Sequence, residues 1–393
     1  MNETIYMPVG EVCSSISDTY REKKNMVTLI NTSDVLEGRV LNHERVPNSN
    51  LKGQFKKTFQ RDDILYSEIR PQNRRFAYVD FSPIDYIAST KLMVIRAKKD
   101  VVSPKYLYYF LKNSSTVVEL QLLAETRSGT FPQITFSEVA NLTIPVPPLA
   151  VQEVIVQTMQ CLEDKTICNE QINDNLEQQA QSYFQELFVD NADPEWTTGT
   201  ISDLGTVVGG STPSKAKPEY YTESGIAWIT PKDLSNNKSK FVSHGENDIT
   251  ELGLRNSSAS IMPEGTVLFS SRAPIGYIAI AAGVVTTNQG FKSVVPKPEI
   301  GTPFVYFFLK NTLPVIEGMA SGSTFKEVSG STMKNVPAVI PDAETLAKFS
   351  DFCAPIFAQQ RILEEQNQSL ATLRDNLLPK LMSGEIDVSA VQL

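Results

Sequence analysis

The sequence predicts an α+β protein with two globular parts and two long helices, in which the second half of the chain repeats the first. Three observations support this prediction. Short apolar runs broken by Gly, Pro, Asn and Ser occur with helical stretches in both halves, an apolar octamer occurs twice, and two segments carry a seven-residue apolar repeat. A chain of 393 residues is also too long for one ordinary hydrophobic core.

The octamer YLYYFLKN at residues 106–113 returns as FVYFFLKN at residues 304–311, with five of eight positions identical. An apolar octamer of this kind is typical of the buried face of a helix. About one such match is expected by chance in a chain of this length. The octamer therefore indicates a duplication if other matches follow in the same order.

Such matches do follow along the chain. The difference in residue number between matched positions, called the offset below, varies along the chain. It is 199 for Asp34 and Asp233, 203 for residues 64–67 and 267–270, 199 for Ser89 and Asn288, and 198 for the octamers. Beyond residue 130 the offset stays at 194, where Asn141 and Asn335 match. Loops tolerate insertions, whereas a helix that must face a partner does not. Each half is therefore predicted to contain a variable globular part followed by a helical part of fixed length.

The seven-residue repeat predicts a coiled-coil seam in both helical parts. Its positions are Ile155, Leu162, Asn169, Leu176 and Tyr183 in the first helix, and Phe349, Ile356, Leu363, Leu370 and Leu377 in the second. Neither helix can bury this stripe alone, so we expect the two to pair in antiparallel fashion around a pseudo-two-fold axis. A helix of about forty residues would be roughly 60 Å long. A generic helical hairpin remains the alternative interpretation.

Polar and proline residues within these helices lead to further expectations. Asn169 and Asn173 in the seam would fix the register of pairing at some cost in stability. Pro355 is expected to kink or restart the second helix, and Pro379 with Gly384 to end it.

These features divide the chain into four segments: residues 1–148, 149–192, 193–341 and 342–393. Their formal net charges are +3, −7, −1 and −4, which sum to the −9 of the whole chain. Most of the excess acid therefore lies in the two helical segments. The globular segments are close to neutral, so the composition permits nucleic-acid binding without indicating it.

The sequence gives no indication of catalysis, export or a membrane span. The N-terminus lacks a signal-peptide pattern, and the longest apolar run, YIAIAAGVV, is too short to cross a bilayer. The loop GGSTPSK lacks the glycine before lysine of a phosphate-binding loop, and GxSxG, HExxH and Asn-Pro-Pro-aromatic motifs are missing. His43 and His244 are expected on the surface or in turns. We predict no metal site.

The cysteines agree with an intracellular protein. Cys13, Cys161, Cys168 and Cys353 form no CxxC pair, which favours reduced thiols in a cytoplasm over a disulfide framework. Each is expected to be a small buried hydrophobe.

Several segments of the sequence resemble the specificity subunit of Type I restriction-modification systems. In the second half, GGSTPSKAKPEYY, GIAWITPKDL and TNQGF are similar to the family's Gly-Thr-Pro-Ser loop, Trp-Ile-Thr strand and Asn-Gln-Gly-Phe strand. In the first half, LINTSDVLEGRVL, LKGQFKKTFQRDDILYSEIRP and STKLMVIR look like another type of its recognition domain. ICNEQINDNLEQQAQSYFQELF and LRDNLLPKLMSGEIDV resemble its central and terminal helices. The first half lacks the Gly-Thr-Pro-Ser and Trp-Ile-Thr motifs, which suggests a different type of recognition domain and therefore a different DNA target from that of the second half.

The resemblance implies two target recognition domains, each reading one part of a split, asymmetric sequence in double-stranded DNA. It implies that the helices set the spacing and dock two methylation subunits, with restriction subunits joining that core. Adenine methylation and ATP-driven cleavage would belong to those partners. No cofactor is expected in this chain, while S-adenosylmethionine, ATP and Mg are expected in the partner subunits.

Side chains that donate hydrogen bonds in the globular parts are the expected DNA contacts, because Arg, Lys, Asn and Gln read base edges and Lys and Arg hold phosphates. In the first part we favour Arg39, His43, Lys52, Lys56, Lys57, Arg70, Arg74 and Arg75. In the second part we favour Ser211, Thr212, Lys215, Lys217, Lys232, Asn236, Lys238, Arg272 and Lys326. An ordinary solvated surface residue is the competing interpretation for each.

Two other classes of function remain open from sequence. The chain could be an enzyme in itself, such as a methyltransferase or nuclease fragment, or a two-headed adaptor that binds protein or carbohydrate. Methyl transfer by the pure chain would favour the first, and failure to retain DNA together with a methylation partner would favour the second.

Overall fold

The computed structural model describes residues 4–22, 24–48, 53–127, 129–322 and 326–388. It divides into two compact units. Unit 1 comprises the residues up to Thr166 together with those from Ser369 onward, and unit 2 comprises Ile167–Gln368. Each unit thus combines a globular part with a portion of both long helices.

Unit 1 is built from short strands and helices. Its strands are β1 (Ile5–Pro8), β2 (Cys13–Ile16), β3 (Met26–Ile30), β4 (Val35–Leu36), β5 (Arg39–Val40), β6 (Val46–Pro47), β7 (Phe55–Lys57), β8 (Ile64–Ser67), β9 (Phe76–Tyr78), β10 (Tyr86–Ser89), β11 (Leu92–Ala97) and β12 (Thr143–Val146). Its helices are α1 (Val9–Val12), α2 (Pro104–Lys112), α3 (Ser114–Arg127), α4 (Phe136–Ala140) and the first part of α5 (Leu149–Gln185).

The strands of unit 1 form two four-stranded sheets and two strand pairs. The sheet orders are β6-β3-β10-β7 and β2-β11-β8-β9, and the pairs are β1-β12 and β4-β5. Strand β8 is buried on both faces because α2 covers one side of its sheet and the other sheet's side chains cover the opposite side. This arrangement explains the uninterrupted apolar run at residues 64–66.

Unit 2 follows the same plan. Its strands are β13 (Thr197–Thr200), β14 (Gly205–Gly209), β15 (Tyr221–Thr222), β16 (Ile226–Ile229), β17 (Phe241–Val242), β18 (Asn247–Ile249), β19 (Val267–Ser271), β20 (Ile275–Ala281), β21 (Thr286–Thr287), β22 (Lys292–Pro296) and β23 (Pro337–Ile340). Its helices are α6 (Ile201–Leu204), α7 (Pro231–Asn236), α8 (Glu251–Arg255), α9 (Thr302–Met319), α10 (Gly330–Lys334) and α11 (Ala343–Ser383), the last of which continues into unit 1. The sheet orders are β14-β22-β19-β20-β17 and β15-β18-β16-β21, with the pair β13-β23.

The backbone confirms the duplication read from the sequence. Strand β3 pairs in parallel with β10, and β16 pairs in parallel with β21. The aligned Asp34 and Asp233 each close a capping box after the first of these strands, with the amides of Asn31 and Thr230 donating at 2.7 Å. The offset of 199 therefore reflects one local structure used twice.

A second repeated contact joins the buried central strand to a later loop. The amide of Ile134 donates to the carbonyl of Glu68 (2.9 Å), and the amide of Val328 donates to the carbonyl of Ser271 (2.9 Å). The two donors are related by the offset of 194 and the two acceptors by the offset of 203. Unit 1 therefore has nine more residues than unit 2 between these two contact points.

Both copies of the octamer are buried helices, as predicted. Tyr106, Leu107 and Tyr109 of α2 are fully buried in unit 1, and Phe307 and Leu309 of α9 are fully buried in unit 2. Each helix begins with a proline in its first turn, where the missing N–H does no harm.

The two long helices pack against each other in antiparallel fashion within unit 2. The Nδ2 amide of Asn169 donates to Oδ1 of Asn367 (2.8 Å), and the ring of Tyr183 lies 6.0 Å from that of Phe349. Residue numbers therefore rise along α5 as they fall along α11. The side-chain oxygens of Asn169 and Asn173 are buried without a partner in the described part of the chain, which makes this polar layer costly.

Within unit 1, α5 and α11 also share one hydrophobic cluster, which contains Ile155, Met159 and Leu381. The predicted seam residues differ in burial. Ile155, Asn169, Phe349, Ile356 and Leu363 are buried, whereas Leu162, Leu176, Tyr183, Leu370 and Leu377 are partly buried. The seam residues thus lie on the inner sides of both helices to different depths.

The expected end of the second helix is confirmed, because α11 ends at Ser383 directly before Gly384, which has a φ of +78°. A restart at Pro355 is wrong: the helix continues through this residue, because a proline removes one hydrogen bond while buried neighbours such as Phe349 and Cys353 hold the helix in place. The expected burial of all four cysteines is also wrong. Cys161 and Cys168 are exposed on α5, although Cys13 and Cys353 are buried as expected.

Candidate nucleic-acid interface

A polar cleft lies on unit 2 where three segments of the sequence meet. They are the loop at residues 209–215, strand β16 with the first turn of α7, and the turn at residues 287–291. The amide of Ser211 donates to the carbonyl of Thr287 (2.9 Å), and the indole of Trp228 donates to the carbonyl of Ser211 (3.0 Å). These bonds join the three motifs that carried the family resemblance in this half of the chain.

The approach of the loop to the turn requires glycine at position 210. A Cβ atom there would lie 2.1 Å from the carbonyl oxygen of Asn288 and 2.3 Å from that of Thr287. Both obstacles are backbone atoms that cannot rotate away. The second glycine of GGSTPS is therefore explained by close packing of the backbone.

The turn presents Gln289 at the edge of the cleft. The side chain of Asn288 is used within the turn, since its Oδ1 accepts from the amide of Gly290 (2.8 Å). The hydroxyl of Thr212 donates to Oε1 of the exposed Gln289, and so orients its amide group.

The cleft has a volume of about 450 Å³ and is rich in donors and acceptors. Its lining residues are Thr212, Lys215, Trp228, Thr230, Pro231, Lys232, Asp233, Glu246, Asn247, Arg272, Ala273, Asn288, Gln289 and Gly290. Four of these were predicted from sequence as DNA contacts: Thr212, Lys215, Lys232 and Arg272. The two carboxylates are already engaged, Asp233 by Thr230 and Glu246 by Lys232, each at 2.7 Å.

Arg272 also lines a second cleft, of about 640 Å³, together with Lys326 and Glu327. Its guanidinium lies 3.5 Å from the carboxylate of Glu327, which is also 3.8 Å from the ammonium of Lys292. Burial lowers the pKa of Lys292, and nearby Glu327 opposes that effect. Arg272 is thus held by a long ion pair at the junction of two clefts.

The remaining predicted residues of unit 2 lie outside these clefts or contribute through the backbone. Ser211 uses its amide and carbonyl to hold the loop. The ammonium of Lys217 lies 5.2 Å from the centre of the Tyr220 ring. Asn236 and Lys238 are exposed where α7 ends.

The chain bends in the same way after β8 of unit 1 as after β19 of unit 2, but the side chains at the bend differ. Arg70 (φ +44°) aligns with Ala273 (φ +52°), and both precede a proline in the left-handed region. Such a conformation costs roughly 1–2 kcal/mol for a residue with a side chain. Its occurrence in both units shows that the fold imposes this bend, which leaves Arg70 exposed beside the central strand.

Neighbouring arginines of unit 1 bind partly to their own domain. Arg74 (φ +51°) donates to the hydroxyl of Ser114 (2.9 Å), and Arg75 donates to the carbonyl of Ser33 (3.0 Å). Arg39 is exposed on β5. His43 is exposed, as expected, with Nδ1 2.8 Å from the hydroxyl of Tyr86.

Lysines on and near β7 point in different directions. Lys56 is exposed, whereas the ammonium of Lys57 donates to the carbonyls of Thr90 (3.1 Å) and Leu92 (2.8 Å). Burial lowers the pKa of Lys57. Strand alternation explains the contrast, and it gives Lys57 a structural contact within the unit. Lys52 lies outside the described residues.

Sequence reasoning did not single out Gln289, Asn247 or Lys240. The TNQGF motif contained a signal for Gln289, because an amide beside a glycine turn is a typical recognition residue. Asn247 and Lys240 carry no local signal, since their importance depends on the segments that pack around them.

The described residues of this arrangement offer hydrogen-bond donors at exposed loops. Across the described residues, no group of three or more His, Cys, Asp or Glu side chains could hold a metal ion. None of the described helices combines the length and apolarity needed to cross a membrane.

Comparison with known proteins identifies the class. The model of the Type I restriction modification DNA specificity domain matches residues 6–178 and again residues 194–373. The chain therefore belongs to this family, and the double match confirms the internal duplication.

Individual relatives agree with this assignment. The chain is 29% identical to the Type I restriction enzyme HindI specificity subunit of Haemophilus influenzae, over 92% of this chain and 94% of that protein. It is 39% identical to the Type I restriction enzyme MjaIX specificity subunit of Methanocaldococcus jannaschii, over 47% of this chain and 45% of that protein. A crystal structure of the Type I restriction-modification S subunit from M. genitalium shares the fold, with a TM-score of 0.54 and 17% identity over 97% of this chain and 96% of that one.

Proposed function

We propose that this chain is the non-catalytic DNA sequence-recognition subunit of a Type I restriction-modification complex. Residues 1–148 and 193–341 are its target recognition domains, and each reads one half of a bipartite, asymmetric target. Residues 149–192 and 342–393 form the paired helices that set the spacing of the half-sites and dock the methylation subunits.

One observation carries this proposal: the same scaffold occurs twice with different exposed side chains at the equivalent place. The left-handed residue after the central strand is Arg70 in unit 1, whereas in unit 2 it is Ala273, which directly follows Arg272. A repeated scaffold with different side chains suits the reading of two different half-sites. Half-sites read by a two-fold protein typically lie about 34–36 Å apart or multiples of that distance.

The exposed donors would act in two ways. Arg272, Lys232 and Gln289 in unit 2 would meet base edges in the major groove, while outlying lysines such as Lys215 would hold phosphates. The near-neutral globular parts suggest that the methylation subunits supply much of the phosphate contact.

The partners follow from the family. We expect two methylation subunits on the helices, with restriction subunits joining through the complex in the cytoplasm. We expect S-adenosylmethionine, ATP and Mg to bind those partner subunits, so that adenine methylation and ATP-driven cleavage occur there.

Retention of DNA by the complex of this chain with its methylation subunit tests the proposal. Methylation-site mapping in the host genome first identifies the target, and a duplex with that target is then used in a gel shift against a duplex with both half-sites scrambled. We expect retention of the target at least about a thousandfold tighter than of the scrambled duplex. Equal retention would contradict DNA sequence recognition and favour an adaptor.

A second measurement addresses catalysis. The chain alone is incubated with target DNA and labelled S-adenosylmethionine, beside the complex with the methylation subunit. We expect label in DNA with the complex alone. Methyl transfer by the isolated chain would show that it is an enzyme.

A further inference from the structure

Lys240 is a buried lysine that the sequence did not single out. It lies four residues after the end of α7 and directly before β17, and it is 7% exposed. Its ammonium donates to Glu177 of α5 (2.7 Å) and to Gln360 of α11 (2.8 Å). A loop lysine thus contacts both long helices within unit 2.

Aromatic rings surround the same ammonium. It lies 3.6 Å from the ring centre of Phe357, 4.5 Å from that of Tyr306 and 5.2 Å from that of Phe307. Cation–π contacts are stronger when the cation is desolvated than at an exposed site. The rings therefore replace part of the hydration that the ammonium loses on burial.

The backbone of the same segment is held as well. The carboxylate of Glu364 on α11 accepts from the amides of Lys240 (2.8 Å) and Phe241 (3.0 Å). Gln360 in turn donates to the carbonyl of Asn173 on α5 (3.2 Å). Side chain and backbone together attach this point of the globular part to the helix pair.

Charges around Lys240 favour an ionised pair at neutral pH. Burial lowers the pKa of Lys240 to about 8, against the opposing effect of Glu177. Burial alone would raise the pKa of Glu177, but Lys240 and Lys310 outweigh it and lower that pKa. Burial raises the pKa of Glu364 and that of Tyr306. Glu177 also binds Lys310 at 2.5 Å and the hydroxyl of Tyr306 at 3.2 Å.

The segment that Lys240 anchors carries candidate DNA contacts. Helix α7 presents Lys232 to the cleft, and Asn236 and Lys238 are exposed between α7 and Lys240. Only residues 237–239 separate α7 from Lys240, so the position of Lys240 limits how far the end of α7 can move. Loss of the anchor would therefore change how these side chains meet DNA.

We propose that Lys240, held by Glu177, Gln360 and the aromatic rings, is a positioning residue for the second recognition domain. It fixes α7 and the residues after it against the helix pair and so sets how faithfully the half-site read by unit 2 is recognised. This inference rests on the proposed function and adds a residue that does not itself touch DNA.

The test uses the complex of the full chain with its methylation subunit and duplexes carrying the mapped target or single-base changes in either half-site. Lys240→Met removes the charge and keeps the length of the side chain, Lys240→Arg keeps the charge, and Gln360→Met is a milder change at the same anchor. Lys348→Met, at an exposed lysine of α11, is the matched control.

A single-base change typically lowers affinity by about 5- to 150-fold. We expect Lys240→Met to reduce this discrimination to about threefold or less in the half-site read by unit 2 and to leave the other half-site unchanged. Gln360→Met should have a smaller effect of the same kind, Lys240→Arg should restore part of the discrimination, and Lys348→Met should resemble the wild type.

Weaker binding with unchanged discrimination in both half-sites would overturn the positioning role. It would leave the proposed function intact, provided that the wild-type complex still selects its target. Absence of selection by the wild type would instead contradict the proposed function itself.

Unfolding in urea between pH 7 and 10.5 supplies an independent measurement. A lysine whose pKa is lowered in the folded state binds fewer protons there than when unfolded, so stability rises with pH between about 8 and 10.5. The stability of the wild type relative to Lys240→Met should therefore increase over this range. The groups facing Lys240 that could titrate are Glu177, Glu364, Tyr306, Lys310 and Cys353.

Discussion

The globular parts of unit 1 and unit 2 keep one scaffold and differ at its exposed edge. After strand β8, unit 1 turns through Pro71–Asn73 and presents a group of arginines, some of which bind their own domain. After strand β19, unit 2 passes through Arg272 and Ala273 directly into β20, between two clefts. The difference shows which parts of a recognition domain can vary.

The shared features are those that hold the strand end in place. They are the buried strand itself, the parallel strand pair with its capping box, and the bond from Ile134 or Val328 to that strand. Because these contacts involve backbone and buried side chains, the exposed residues can change without loss of the fold.

The largest expected effect on DNA recognition comes from exchanging a whole target recognition domain. Replacing residues 1–148 by those of another family member should change one half-site completely and lower affinity for the original target by about a thousandfold or more. Methylation-site mapping would measure both outcomes. A change in both half-sites would show that the two readers do not act separately.

Single arginines at the two strand ends should have smaller effects in opposite halves of the target. We expect Arg272→Ala and Arg70→Ala each to weaken binding by about 1–3 kcal/mol and to relax one half-site, a different one in each case. Arg255→Ala, at an exposed arginine paired with Glu251, serves as the control. Competition gel shifts with single-base variants measure the effect, and relaxation of the same half-site by both variants would contradict the comparison.

The aligned central strands differ by one buried hydroxyl, since Tyr66 in unit 1 occupies the position of Phe269 in unit 2. The hydroxyl of Tyr66 is buried and has no partner in the described structure. We expect Tyr66→Phe to be neutral or stabilising by up to about 1 kcal/mol, and Phe269→Tyr to destabilise by about 1–3 kcal/mol. Urea unfolding of both variants checks this. Marked destabilisation by Tyr66→Phe would reveal a partner for the hydroxyl.

The smallest stability effect is expected at exposed ion pairs. Lys99 pairs with Asp62 in unit 1 (2.5 Å), and Lys232 pairs with Glu246 in unit 2 (2.7 Å). Lys99→Met and Lys232→Met should each change the free energy of unfolding by less than about 1 kcal/mol. Only Lys232→Met should weaken DNA binding, since Lys232 lines the cleft. Equal effects of both variants on DNA affinity would remove Lys232 from the interface.

Much of the fold could be predicted from sequence because its signals are local or periodic. The octamer indicated a buried helix, and the seven-residue repeat indicated a helix seam. The changing offset indicated insertions in the globular parts. A restart of α11 at Pro355 was wrongly predicted, because packing of the helix against its neighbours outweighs the loss of one hydrogen bond at this residue.

The candidate site was only partly accessible from sequence. Residue type alone suggested Arg272 and Lys57 equally, yet the first lines two clefts and the second donates to backbone carbonyls. Lys240 was missed because its surroundings come from α5, α9 and α11, which are far apart in the chain. The direction of a side chain and the residues around it depend on the tertiary fold, so they cannot be read from the residue type alone.

Gly210 has a consequence for the evolution of new targets. The neighbouring backbone leaves no space for a Cβ atom there, whereas Lys215 and Lys232 on the wall of the same cleft have exposed side chains. A mutational library over this half of the chain should therefore keep glycine at position 210 in every functional clone while the lysines diversify. Substitutions at exposed residues such as Lys215 and Lys232 can therefore give the cleft a new preference for DNA sequence, provided that Gly210 is kept.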